Sequence, residues 1–326
     1  MTLAELTHRL RGALGLQHKL DIQPVHQLLS GLGDPTVANG DDCAAIPDGD
    51  GYLLLAIEGL LPAFVENEPW FAGYCAVMVN LSDVAAMGGR PIAVVDAIWT
   101  RDSRRARPIW DGMTAAAARY AVPIVGGHTN SRSTSGDHLA AAVLGRARNL
   151  LTSFDAHPGD ALIAAVDLRG EWFGPYPYWN ASTSAPGPRL RGDLELLPTL
   201  AEAGLSRAAK DISMGGILGT AIMLAECSGV GFSIDVERLP MPANVAIEKW
   251  LTAFPSFGYL LAVNPENADD VCAHFARRDV AAAVVGRCEA SRQCNLTDSS
   301  NATSTLWDLA QEPFIGVKPL AEGLAP

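Results

Sequence analysis

Apolar runs of strand length, each closed by glycine, proline or an acid, alternate with stretches of helical spacing along nearly the whole chain. This alternation constrains the fold more than any other feature, because strands interleaved with amphipathic helices specify an α/β layering. In the first half, strands are expected near 52–57, 92–98, 122–126 and 139–144, with helices near 70–87 and 104–120. In the second half, helices are expected near 191–204 and 216–228, and strands near 161–167, 207–212, 258–263 and 282–286. LAAAVLGRA (139–147) closes one such series, and HPGDALIAAVDLRG (157–170) opens another through a Pro-Gly-Asp turn. The chain is therefore expected to divide near residue 150 into domains 1–150 and 151–326. With 326 residues and 48% hydrophobic content, both halves have material for a core of their own.

The formal net charge of -12 argues against nucleic acid and acidic membrane surfaces as partners, since both require clustered Lys and Arg. No apolar run approaches the ~18 residues of a membrane span. The first thirty residues carry His8, Arg9, Arg11, His18, Lys19 and Asp21, unlike a signal peptide, so a cytoplasmic protein is expected. The six cysteines show no CxxC spacing, and neither a zinc site nor a disulfide framework is expected.

Acids stand at the ends of these runs. In NGDDCAAI (39–46), Asp41 and Asp42 are adjacent ahead of an apolar run. Two ionised neighbours in a half-buried place require a cation nearby, unless they sit in an open turn. In the helix that begins at Trp70, Asn80, Asp83 and Met87 share a face apart from the apolar stripe, and Gly88, Gly89 and Pro91 stop the helix. Asp83 near a helix C-terminus is disfavoured by the dipole, by about 0.3–1 kcal/mol. It is either a metal ligand or a solvated acid paired with a residue such as Arg90. Glu58 ends the apolar strand of YLLLAIEGLLP, either as a ligand or as the first exposed residue. Asp211 in AAKDISMGGILGT precedes Gly215 and Gly216, which open a helix whose N-terminus can hold an anion. The alternative there is Asp211 or Ser213 acting as a helix cap. VPIVGGHTNSRSTSGD places Gly126 and Gly127 after a buried strand, followed by His128, Thr129, Asn130 and Arg132, so that bare backbone N–H groups and hydroxyls are offered to phosphate oxygens. Four acids and two Gly-Gly turns together suit a magnesium-nucleotide site, because magnesium takes carboxylate, water and phosphate oxygens.

EWFGPYPYWNASTSAPGP (171–188) crowds Trp172, Phe173, Tyr176, Tyr178 and Trp179 among prolines and glycines, which disfavours helix and strand alike. It is either an ordered loop laying aromatics over its own domain or a platform beside a ligand.

The order GDDCAAI, AIEGLLPAFVENEP, VNLSDVAAMGGRP, VGGHT, KDISMGGILG resembles the aminoimidazole ribonucleotide synthetase (PurM-like) superfamily, which includes thiamine-monophosphate kinase and selenophosphate synthetase. The resemblance covers residues 30–265, roughly, and points to a less characterised AIR-synthase-related branch. It implies a two-domain α/β (α+β) fold, with an N-terminal sheet that forms a barrel at a homodimer interface and a C-terminal α/β domain. It implies ATP with magnesium as cofactors, bound between the domains, and a small-molecule acceptor. Carried over by motif, Asp42, Asp83 and Asp211 match metal-binding aspartates, and Glu58 stands where relatives have an aspartate. Asp41, Asn80, Gly126, Gly127, His128, Thr129, Asn130, Gly215 and Gly216 fall at the expected nucleotide contacts. The reaction is less defined. The segment LGLQHKLDIQP offers His18 and Lys19 but no cysteine, DISDGL has become DISMGG at Met214, and GGDT has become GGHT at His128. His18, Lys19 and His128 are the groups expected to act as acid, base or phosphate contact. ATP-dependent phosphoryl transfer to a small-molecule oxygen is the expected activity, with a simple small-molecule kinase or a nucleotide-binding regulatory subunit as alternatives.

Overall fold

The structure, a computed structural model, describes residues 1–29, 37–132 and 136–319. These described residues fall into two compact units, one within the bounds Cys43–Asn149 and Thr183–Thr199, the other within Met1–Asp42, Leu150–Ser182 and Leu200–Pro326. The units are not consecutive halves of the chain, because Leu6, Leu10 and Leu16 enter the same core as Leu218, Phe232 and Trp307.

The first unit is built on five strands: β1 (Ala44–Asp48), β2 (Gly51–Gly59), β3 (Arg90–Trp99), β4 (Ile124–Asn130) and β5 (His138–Ala147). Their order is β1-β2-β5-β3-β4, antiparallel throughout except for the parallel β3–β4 pair. Helices Pro69–Ala86 and Ser103–Tyr120 belong to the same unit. The first begins with proline at a position where the missing N–H is harmless. The second is capped by Asp102, whose side chain accepts from the N–H groups of Arg104 and Arg105. The two helices cross at Gly73 and Gly112. A Cβ on Gly73 would lie 2.1 Å from the Ile109 carbonyl oxygen, and one on Gly112 would lie 1.9 Å from that of Trp70. Along β5, Leu139, Ala141 and Val143 are buried while the alternate residues are more exposed. The outward face is nevertheless apolar, with Leu55, Ile57, Val95, Val125 and Leu144 all exposed.

In the second unit, β6 (Ala161–Val166), β9 (Ala208–Asp211), β10 (Gly231–Asp235), β12 (Gly258–Val263), β13 (Ala281–Glu289), β14 (Gln293–Thr297) and β15 (Thr303–Asp308) form one sheet in the order β15-β14-β10-β13-β6-β12-β9. Every residue of β6 and β12 is buried, so these central strands read as continuous apolar runs. Helix Gly216–Ser228 is buried along nearly its whole length.

Two expectations are corrected here. The helix expected at 191–204 is two helices, Gly187–Leu194 and Leu196–Glu202, because Pro198 has no N–H to continue the ladder onto Leu194. The segment 171–188 does contain strand: β7 (Glu171–Trp172) pairs with β8 (Tyr178–Asn180), which pairs with β11 (Phe254–Pro255). Its aromatics cover their own unit. Trp172, Trp179 and Trp250 meet edge to face, with ring centroids 5.4–6.1 Å apart. Trp179 and Trp250 are buried, and Lys249 lies over the Trp172 ring at 3.9 Å. Among the described residues, no helix is long and apolar enough to cross a membrane.

Candidate functional site

The seven-stranded unit answers the question posed by the adjacent aspartates. Asp42 lies against β9, where the Lys210 ammonium donates to its Oδ1 and the Asp211 backbone N–H donates to its Oδ2 at 3.2 Å. Lys210 and Asp42 keep only 5% and 6% of their side chains exposed. Asp41 is held by Ser153, whose backbone N–H reaches Oδ2 at 2.8 Å and whose hydroxyl reaches Oδ1 at 2.5 Å. Lys210 also approaches the Ser153 hydroxyl at 3.3 Å, so the cation holds Asp42 directly and reaches Asp41 through one serine. Burial pushes the Asp41 carboxyl up to about 6; Lys210 opposes that shift and Asp42 adds to it. For Lys210, burial works against the charge, but Asp42 and Asp41 together outweigh it and its pKa is raised.

Asp211 is buried at the end of β9 and has a carboxylate oxygen within 4.8 Å of one on Asp42. These two acids supply the hard oxygen donors that magnesium prefers, so the donor set fits that ion. Beyond Asp211 the chain turns, and the Gly216 N–H donates to the Ser213 carbonyl at 2.8 Å. Gly216 has φ +64°, and a Cβ there would lie 2.3 Å from the Leu251 carbonyl oxygen. Neither Asp211 nor Ser213 caps the helix that follows. Gly215 is the N-cap, with no side-chain bond. Helix Leu14–Lys19 packs on this turn: a Cβ on Gly15 would meet the Met214 carbonyl oxygen at 2.2 Å, and the Lys19 stem stands 3.5 Å from where a Cβ on Gly215 would be. Lys19 is thus at the glycine turn, while His18 beside it is exposed.

The five-stranded unit distributes its candidates differently. Asn80 is fully buried, and its Nδ2 donates to the carbonyls of Ala76 at 2.7 Å and Ala141 at 3.0 Å, tying its helix to β5. Asp83, one turn further along, is 6% exposed, and Arg90 bonds to Glu195 at 2.8 Å. Strand register sets Glu58, Ala141, Asp96 and Gly127 in one row across β2, β5, β3 and β4. Glu58 is exposed at the end of that row.

The GGHTN run is not a turn, as the sequence suggested, but part of β4, an edge strand paired along β3. A strand alternates faces, so Gly127 and Thr129 lie on the side of Asp96 and Ile98, while His128 and Asn130 lie with Ala97 and Trp99 on the other. The His128 ring is 5.6 Å from that of Trp99. Gly127, Thr129, Asp96, Trp110 and Thr114 line a groove of about 370 Å³. Burial raises the Asp96 carboxyl, which has no hydrogen-bond or ion-pair partner among the described residues.

Lys210, Ser153 and Asp96 were not singled out from the sequence. Lys210 was signalled by its adjacency to Asp211, and Asp96 by an acid interrupting the apolar strand VVDAIW.

Fold and site together define a two-domain, mixed α/β protein of the PurM-like class. Residues 40–147 match the N-terminal domain of AIR synthase related proteins and residues 186–299 match the C-terminal domain, and the chain belongs to that family. An uncharacterized protein of Synechocystis sp. is 48% identical over 96% of this chain and 98% of its own length. The thiamine-monophosphate kinase of Pyrococcus horikoshii is 28% identical over 77% of this chain and 83% of its own. Among solved structures, T. maritima PurL complexed with ATP superposes with a TM-score of 0.70 at 18% identity, covering 90% of this chain. The chain spans about half of that longer protein, 48% of its length.

Proposed function

We propose that this protein is an ATP- and magnesium-dependent enzyme that transfers a phosphoryl group to an oxygen of a small molecule, or activates that oxygen for its loss. The observation that carries this reading is the convergence of Asp42 and the buried Asp211, two acids at positions the family resemblance assigns to metal. Kinship with a thiamine-monophosphate kinase and a fold shared with an ATP-complexed PurL support it. Asp83 and Glu58 are proposed as further ligands on motif grounds. When bound, the magnesium nucleotide supplies charge neutralisation at the transferring phosphoryl group, and the chain's own task is positioning. Lys19 at the glycine turn and the N-terminus of helix Gly216–Ser228, which has no side-chain cap, are suited to phosphate oxygens. Thr129 and Gly127 offer contacts on one face of β4, and His128 and Asn130 offer theirs on the other. A homodimer is part of the proposal: the exposed apolar face carrying Ile57 (70% exposed), Val125 and Leu55 is the surface a second copy would cover to complete a barrel.

The second reading, a nucleotide-binding regulatory subunit without turnover, is favoured by Lys210, whose ammonium already neutralises Asp42. Calorimetric titration with a non-hydrolysable ATP analogue, with and without magnesium, tests both. Magnesium-dependent binding that Asp83→Asn loses, together with ATP turnover in the intact protein, supports the enzyme. Binding with no turnover across a panel of acceptors supports the regulatory reading, and no binding under either condition removes both.

A further inference from the structure

We infer that Lys210 is a built-in counter-cation that offsets one charge of the Asp41–Asp42 pair and competes with a divalent ion for Asp42. The segment around Asp42 therefore folds without metal, and divalent ions bind that carboxylate more weakly than they would without the lysine.

At Asp42 a divalent ion meets competition. Each of the carboxylate oxygens already accepts from the protein, Oδ1 from the Lys210 ammonium and Oδ2 from the Asp211 N–H at 3.2 Å, so an ion must use the lone pairs that remain. The ammonium is not a loose surface partner. It is buried on β9, and its neighbours are Asp42 and the Ser153 hydroxyl at 3.3 Å. A divalent ion arriving at Asp42 Oδ1 must share that oxygen with a full positive charge at hydrogen-bond distance, in a place where water screens little. Asp41 is satisfied as well, through the backbone N–H and hydroxyl of Ser153 and the backbone N–H of Asp42 at 2.9 Å. Two adjacent carboxylates would repel each other without a cation, and the chain supplies one from the residue next to Asp211. The inference goes beyond the proposed metal reading and narrows it, because it leaves Asp211 as the stronger donor of the pair, and it rests on that reading only for the statement that Asp42 faces an ion at all.

The experiment uses the full chain with manganese alone as the probe, comparing wild type, Lys210→Met and Lys210→Arg by calorimetry and by thermal unfolding in chelator or in magnesium. Expected is a wild-type Tm unchanged by chelator, and a Lys210→Met Tm that falls in chelator and recovers with magnesium. Manganese should bind Lys210→Met about tenfold tighter or more, while Lys210→Arg stays close to wild type. Lys210→Met that is equally destabilised in chelator and magnesium, and binds manganese no more tightly than wild type, would overturn the inference. If Lys210→Met is recovered only with metal present, the double variant Lys210→Met/Asp42→Asn decides. It should fold in chelator and lose the added manganese affinity, and unchanged tight binding would place the ion elsewhere and overturn the proposal. Because the probe is metal alone, a wild type that fails to bind the ATP analogue removes the proposed function without touching this readout.

Discussion

Two glycine pairs, Gly126-Gly127 and Gly215-Gly216, look alike in the sequence, and the structure puts them to opposite uses. Gly215 and Gly216 form a true turn: the chain reverses at Ser213–Gly216, adopts a left-handed φ, and passes so close to Leu251 and Thr252 that a side chain has no room. Gly126 and Gly127 lie in an extended edge strand, where a Cβ on Gly126 would meet nothing within 4 Å and one on Gly127 would meet Asp96. Glycine after an apolar run therefore signals a missing side chain and nothing more. What approaches the bare backbone decides between a turn and a strand, and here the deciding neighbours are Leu251 in one unit and β3 in the other.

The contrast can be broken by substitution. Gly216→Ala should have the largest effect, about 2–5 kcal/mol of lost stability by urea unfolding, because a left-handed backbone and a Cβ 2.3 Å from a carbonyl oxygen add together. A loss under about 1 kcal/mol would show that the turn relaxes and that the two pairs differ less than their geometry says. Gly127→Ala should cost about 1–3 kcal/mol, since its Cβ would sit 2.6 Å from Asp96 Oδ1 and 2.7 Å from the Asp96 carbonyl oxygen. Asp96→Asn sharpens the same point through pH. The folded carboxyl is raised above its ordinary value by burial, so the native state holds the proton more tightly than the unfolded state. Wild-type stability from this group is therefore full below the ordinary carboxylate range and falls as pH rises through the raised pKa. The advantage of Asn over Asp should grow across that window and then level off, and a Tm difference that stays flat with pH would count against it. Gly126→Ala should be smallest, within about 0.5 kcal/mol of wild type in the same urea assay.

The local signals were legible where one element satisfies its own pattern. Helix Gly216–Ser228 and strand Gly258–Val263 follow from unbroken apolar runs bounded by glycine, whose burial needs no knowledge of the partner. The metal candidates at Asp42 and Asp211 were legible as acids at the ends of such runs, and the family resemblance rested on the order of those runs. Illegible were the features set by long-range pairing: the continuation of β4 through GGHTN, which separates His128 from Thr129, and the meeting of Lys210 with an aspartate 168 positions earlier. The sequence by itself determined the α/β alternation, the family and the acids available for chemistry, because periodicity and residue type are local properties. Which carboxylate already holds a cation, which glycine is a turn and which face each polar residue occupies were decided by the tertiary structure, since these depend on register and close approach between segments distant in the chain.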